Sequence, residues 1–294
     1  MMLTYPKCTS PPDKLQIWPE IRYSVESDNL WLELWEFLGI ISSVPPQETK
    51  ILEKGVLHEV PLCFPGARLN YAENLLNRTD DAIAITGESG VITNCTFWGL
   101  REMVRVMAAA LKVHGLKVGD RVAAIISNSL HCVIIALVTA SIGGIFSSTA
   151  TDMGTSGILE RYRQITLKFV FAEIEVLYGG KPVALLPKVT EVIKNLFYKG
   201  LQQAIWLSSR MMGYEINLEN ATSITESADN RKLEFEQLPF SRPLFILYSS
   251  GMSGKSKSIV HSAGLGASPE DTYFQYTTTR PKAAATIALD RTPP

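Results

Sequence analysis

Between Arg121 and Leu207 the chain alternates short apolar runs with longer stretches of helical periodicity. Residues 121–126, 145–147, 168–172 and 204–207 read as strands. Between them, residues 128–142, opened by Asn128 and Ser129, then 157–165 and 189–198, suit helices. Strands spaced by helices of this length are βαβ units, and few topologies accommodate several in a row. The pattern predicts an α/β fold with a mainly parallel sheet flanked by helices. In open sheets of this kind, ligands sit beyond the carboxyl ends of the strands.

Upstream, Asp28 is placed to cap a helix whose face carries Leu30, Trp31, Leu34, Trp35 and Leu38, with Gly39 ending it. Pro65-Gly66 makes a turn. Asn70, with Glu73 three residues on, has the form of a capping box opening a helix through Leu76. Residues 82–86 and 91–96 read as a hairpin joined through Gly87 and Gly90. Thr96 can cap a long helix with Leu100, Val104, Met107, Ala108 and Leu111 on its buried stripe, closed by Gly115. Residues 216–235 are polar and irregular, which predicts a surface excursion. Residues 273–279 could form a strand, and the last residues hold little to bury, which predicts a loose tail.

The stretch with the most chemistry follows an apolar run at 244–248. There Ser249, Ser250, Ser253 and Ser256 offer hydroxyls, Gly251 and Gly254 offer close backbone approach, and Lys255 and Lys257 offer positive charge. Ile259 and Val260 then resume the apolar pattern. Two readings fit: a plain connection, or a loop whose successive N–H groups cradle phosphates. A Walker A loop, G-x-x-x-x-G-K-S/T, is matched at its end by Gly254-Lys255-Ser256, but Ser249 stands at its first glycine. Asp290 could serve as a Walker B acid only with too little chain for a βαβ crossover.

Composition narrows the partners. With 28 basic and 29 acidic residues the formal net charge is −1, so no strong field invites nucleic acid or an anionic membrane. Cys8, Cys63, Cys95 and Cys132 are widely spaced, which suits neither a zinc site nor a disulfide framework and predicts reduced thiols in a cytosolic protein. The first 14 residues lack the apolar core of a signal peptide. The most apolar window, 132–146, is too short to span a bilayer and reads as a buried helix followed by a strand. His131 and His261 have no partners at metal-ligand spacing and read as partly buried packing residues.

Tyr248-Ser-Ser-Gly-Met-Ser-Gly-Lys-Ser-Lys257 resembles the signature loop of adenylate-forming enzymes, whose usual form is S/T-S/T-G-S/T-S/T-G-x-P-K. Met252 stands at a Ser/Thr position and Ser256 at the proline, which leaves the backbone freer. Trp35-Glu-Phe-Leu-Gly-Ile40, Phe64-Pro-Gly-Ala-Arg-Leu-Asn-Tyr-Ala-Glu-Asn-Leu-Leu76, Ala140-Ser-Ile-Gly143, Leu233-Glu-Phe-Glu-Gln-Leu-Pro-Phe240 and Ile259-Val-His-Ser-Ala-Gly264 are similar to the acetoacetyl-CoA synthetases of that family. The resemblance covers roughly residues 18 to 264.

It implies a two-step reaction: ATP and acetoacetate give an acyl-adenylate and diphosphate, then CoA displaces AMP. It further implies that Ser249, Ser250, Gly251, Ser253, Gly254 and Lys257 hold the ATP phosphates, with Mg2+ bridging phosphate oxygens. ATP, Mg2+, CoA and acetoacetate are the implied ligands, with no nucleic acid or membrane partner. The implied layout is an N-terminal helical extension over 1–80, part of an AMP-binding domain over 81–266, and a divergent tail over 267–294. The family's ribose-binding acid, hinge and C-terminal domain with its catalytic lysine find no counterpart here. The expectation is a truncated portion that is inactive alone and carries no catalytic residue. A non-catalytic fragment acting through protein association, and a P-loop NTPase, stand as alternatives.

Overall fold

The computed structural model describes residues 27–48, 50–53, 62–88, 92–178, 181–207, 217–218, 231–249, 256–262 and 287–288. Its centre is a seven-stranded sheet built from β1 (Arg121–Ile125), β2 (Ile145–Thr149), β3 (Phe169–Glu173), β4 (Gln203–Leu207), β5 (Asn217–Leu218), β6 (Pro243–Tyr248) and β7 (Ser258–Ser262). The strand order is β5-β4-β3-β1-β2-β6-β7. The inner five are parallel, and β5 and β7 pair antiparallel at the two edges.

Among the described residues, six helices surround the sheet or precede it: α1 (Ser27–Leu38), α2 (Tyr71–Leu75), α3 (Phe97–Val113), α4 (Leu130–Ile142), α5 (Thr155–Tyr162) and α6 (Leu186–Phe197). Side chains alternate across the sheet. Val122 and Ala124 face a core shared with α3 and α4, whereas Ala123 and Ile125 face α5 and α6. Burial on both faces is why these strands read as unbroken apolar runs rather than alternating ones. The helix after β1 lies on one face and the helix after β2 on the other, so neighbouring strands send their connections apart. In open α/β sheets, ligands bind beyond the carboxyl ends of strands whose connections part in this way.

Local signals behave as expected for α3, where Thr96 Oγ1 accepts from Gly99 N at 3.1 Å and Val104, Ala110 and Leu111 are fully buried. At the end of α4, Gly143 sits at φ +81°, a left-handed conformation that favours glycine and closes the helix. Helix α5 starts and stops earlier than the periodicity suggests, and Ile165 beyond its end still packs on the same core. Helix α6 starts earlier, with Pro187 tolerated in its first turn, where an N–H has no helical partner anyway. The 92–96 strand pairs antiparallel with Ile83–Glu88, as the hairpin reading predicts.

Three expectations need correction or qualification. The Asn70 cap forms, but Glu73 does not complete the box: its carboxylate accepts from Gln237 Nε2 at 2.7 Å. Residues 216–235 are not wholly a surface excursion, since Asn217–Leu218 adds an edge strand and Leu233 and Phe235 pack on the α3–α4 core. The strand expected at 273–279 lies outside the described residues, as does most of the tail, although Ile287–Ala288 pairs in parallel with Ile85 and Thr86.

The segment before the sheet has its own small core of Trp35, Ile51, Phe64, Ala67 and Leu69, with Phe240 packed on it. The Trp35 and Phe64 rings lie 4.8 Å apart, and Phe64 meets Phe240 edge-on at 5.0 Å. Strand Arg68–Leu69 pairs with both Ser42–Val44 and Leu238–Pro239, which binds the early chain to the approach of β6. No described helix is long and apolar enough to cross a membrane.

Candidate functional site

Strand β6 enters beside β2, with Leu244 and Ile246 buried and the Ile246 carbonyl accepting from Ser147 Oγ at 2.8 Å. It ends at Tyr248, opposite Ser258 of β7. The serine- and glycine-rich stretch therefore connects the two strands of a hairpin at the carboxyl edge of a parallel sheet. Ile259 and Val260 of β7 are 46% and 56% exposed, as befits an edge strand.

Of the expected phosphate-binding residues, Ser249 and Lys257 are described and meet at the base of this turn. Ser249 N donates to Lys257 O at 3.1 Å, and Lys257 N donates to Ser249 Oγ at 3.4 Å. Ser250, Gly251, Ser253 and Gly254 lie outside the described residues, as does Lys255. Ser256, offered by the sequence as a further hydroxyl donor, is buried and already committed. Its N–H and its Oγ both donate to Glu160 Oε1, at 2.7 and 3.1 Å.

Gln164 holds the same residue from the other side, its Nε2 donating to Ser256 O at 2.8 Å while its Oε1 accepts from Ser258 N at 3.3 Å. Tyr248 OH donates to Arg161 O at 3.0 Å, and the Arg161 guanidinium lies 5.9 Å from the Tyr248 ring centroid. Helix α5 and the turn after it thus grip both legs of the hairpin.

The other strand ends carry further polar groups. Ser127 N and Oγ donate to the two oxygens of Glu173, each at 2.9 Å. Burial pushes the Glu173 carboxyl above the usual range, against the pull of those two bonds. Burial, with Glu173 nearby, also pushes the Cys132 thiol up to about 11, which keeps it protonated and inert. Burial lowers His131, favouring the neutral ring. Lys188 Nζ donates to Thr151 O, and to Met153 O at 3.2 Å, pinning the turn after β2. No group of three or more His, Cys, Asp or Glu among the described residues is placed to hold a metal.

Glu160, Gln164, Ser127 and Glu173 have no sequence signal of their own: the Glu160–Ser256 pair spans 96 residues and the Ser127–Glu173 pair 46. What the described residues do is bring Ser249 and Lys257 together at the base of a braced hairpin, at the carboxyl edge of an α/β sheet. Such a site suits an anionic ligand.

The profile of the AMP-binding enzymes matches residues 72–279, taking in the whole of the central sheet and the hairpin. The chain belongs to this family. The AMP-binding resemblance read from Tyr248 to Lys257 is thereby confirmed.

Among the relatives of this AMP-binding chain, the acetoacetyl-CoA synthetase of Macaca fascicularis is 41% identical over 258 residues, covering 83% of this chain and 38% of that protein. The corresponding enzyme of Rhizobium meliloti is 34% identical over 256 residues, 81% of this chain and 37% of its own length. A malonamoyl-CoA synthetase of Penicillium aethiopicum is 32% identical over 251 residues. The solved acetoacetyl-CoA synthetase of Streptomyces lividans shares the fold with a TM-score of 0.73 and 28% identity, over 85% of this chain and 41% of that one. The chain spans well under half the length of the relatives it matches.

Proposed function

We propose that this chain carries the triphosphate-binding part of an acid–thiol ligase acting on acetoacetate, ATP and CoA through an acyl-adenylate. The observation that carries the reading is the pairing of Ser249 with Lys257 at the base of the hairpin, at the carboxyl edge of the sheet, within the stretch that matches the AMP-binding family. Acetoacetate as the acid rests on the names of the relatives. The division into an extension over 1–80, an AMP-binding part over 81–266 and a tail over 267–294 belongs to the same proposal.

In this reading the hydroxyls of Ser249, Ser250 and Ser253 and the amides of Gly251 and Gly254 donate to phosphate oxygens. Lys257 places its ammonium beside them. Attack of a carboxylate on the α-phosphorus expels diphosphate, so negative charge must be held while the bond breaks. Fixed donors and a cation do that without a protein nucleophile. Mg2+ as the counter-ion of the triphosphate belongs to the same proposal.

Titration of Mg-ATP against the 294-residue chain tests the proposal. Losing one charge-assisted contact to phosphate should weaken binding about 10–100-fold. Lys257→Ala is expected to show that loss and Lys255→Ala to bind nearly as the parent. The reverse order would instead support a P-loop, and ATP binding indifferent to both would refute the phosphate reading of the hairpin.

A further inference from the structure

The usual motif has proline where this chain has Ser256. Proline at that place fixes φ near −65° and carries no N–H. Serine brings back both backbone freedom and a donor that needs a partner when buried. Ser256 is 8% exposed, and each of its three polar groups is taken by a side chain from α5 or the turn after it. The N–H and Oγ go to Glu160 Oε1, and the carbonyl takes Gln164 Nε2. Gln164 Oε1 also takes the N–H of Ser258, so it spans the residues on either side of Lys257. Lys257 itself is clasped through its own N–H and carbonyl to Ser249. The backbone around Lys257 is therefore held on three sides, and two of those holds come from outside the hairpin.

We propose that Glu160 and Gln164 are positioning residues for Lys257, supplying by hydrogen bonds the rigidity that proline supplies in the usual motif. A carboxylate close to a triphosphate loop would by itself repel the ligand. Here its charge is directed onto a backbone N–H and a hydroxyl, a pairing stronger than a neutral hydrogen bond. The effect on nucleotide rests on the function proposed above; the bracing of the hairpin does not.

Two measurements separate those claims. Amide hydrogen exchange on the ligand-free chain should show Ser256 N–H and Ser258 N–H protected, and Glu160→Ala should release the first and Gln164→Ala the second. Mg-ATP affinity should fall about tenfold in Glu160→Ala, the size expected from losing one charge-assisted hydrogen bond. Glu160→Gln, which keeps an acceptor, should recover part of it. Adding Ser256→Pro to Glu160→Ala should recover most, because proline needs no acceptor at that place. A merely structural Glu160 would show the same loss with proline or serine at position 256, and that outcome overturns the proposal. So does tighter binding in both Glu160 variants, which would mean that its charge only repels. If the parent chain binds no ATP, the phosphate reading fails and exchange decides the bracing alone: unprotected amides at 256 and 258 overturn it.

Discussion

Asn70 joins three segments that are far apart in sequence, and removing it should loosen all of them together. The residue is 3% exposed. Oδ1 accepts from Ala72 N at 2.9 Å and Glu73 N at 3.3 Å, capping α2. Nδ2 donates to Ala140 O at 3.0 Å and Ser141 O at 3.2 Å, at the end of α4, and to Glu236 O at 2.8 Å, on the approach to β6. In Asn70→Ala the cap is lost, worth about 1 kcal/mol. Ala140 O keeps Gly143 N and Ser141 O keeps Glu236 N, so the lost donor falls mainly on Glu236 O, at about 1–3 kcal/mol. The sum is about 2–4 kcal/mol, or a melting temperature lower by about 3–6 °C for a chain of this size. Asn70→Asp isolates the donor face. It keeps both acceptor bonds at α2, where negative charge is welcome, but turns a carboxylate oxygen onto three carbonyls. Urea unfolding followed by circular dichroism should place Asn70→Asp no higher than Asn70→Ala at neutral pH, with partial recovery in acid as the carboxyl gains a proton to donate. An Asp variant as stable as the parent at neutral pH would refute the claim that the Nδ2 bonds hold these segments together.

Two further perturbations probe the core beneath the site. Tyr162 is fully buried, donates to Ala124 O at 2.7 Å and accepts from Thr149 Oγ1 at 3.1 Å, so Tyr162→Phe strands a buried hydroxyl and should cost about 1–3 kcal/mol in urea unfolding. Adding Thr149→Val removes the stranded group and should restore much of the loss; simple additivity of the two substitutions would count against this pairing. For Glu173, the raised folded carboxyl means that the native state keeps its proton to higher pH than the unfolded chain does. Its contribution to stability is therefore full below the ordinary value of 4.5 and is lost as pH rises through the folded one. The stability of the parent relative to Glu173→Gln should fall as pH rises above 4.5, and a difference that stays flat or rises would show the sign to be wrong.

What could be read from the residues, and what could not, divides by distance along the chain. Thr96 and the stripe Leu100–Val104–Met107–Ala108–Leu111 are decided within one helix, so α3 is legible. The strands β1 and β3 are legible because both faces of the sheet are covered, which leaves a plain apolar run in each. The antiparallel pair Glu175–Tyr178 and Lys181–Ala184 was missed, although Gly179-Gly180 between two β-rich runs is a hairpin signal. Pro182 argues against a strand, and the exposed second strand has no buried face to mark it. Glu73 shows the limit from another side: its spacing from Asn70 is right for a capping box, yet a glutamine 164 residues away wins its carboxylate.

The hairpin follows the same rule. Its chemistry is local and visible, whereas the glutamate that braces it lies 96 residues upstream on another element. What the sequence did show there was an anomaly, serine in place of proline, and the anomaly had physical content. A rigid residue was exchanged for one with an extra donor and a freer backbone, so something elsewhere had to supply both an acceptor and a restraint. Glu160 and Gln164 meet those two demands. A departure from a loop motif is therefore informative in its own right, because the freedom that the exchanged residue restores indicates which partner to look for in the fold.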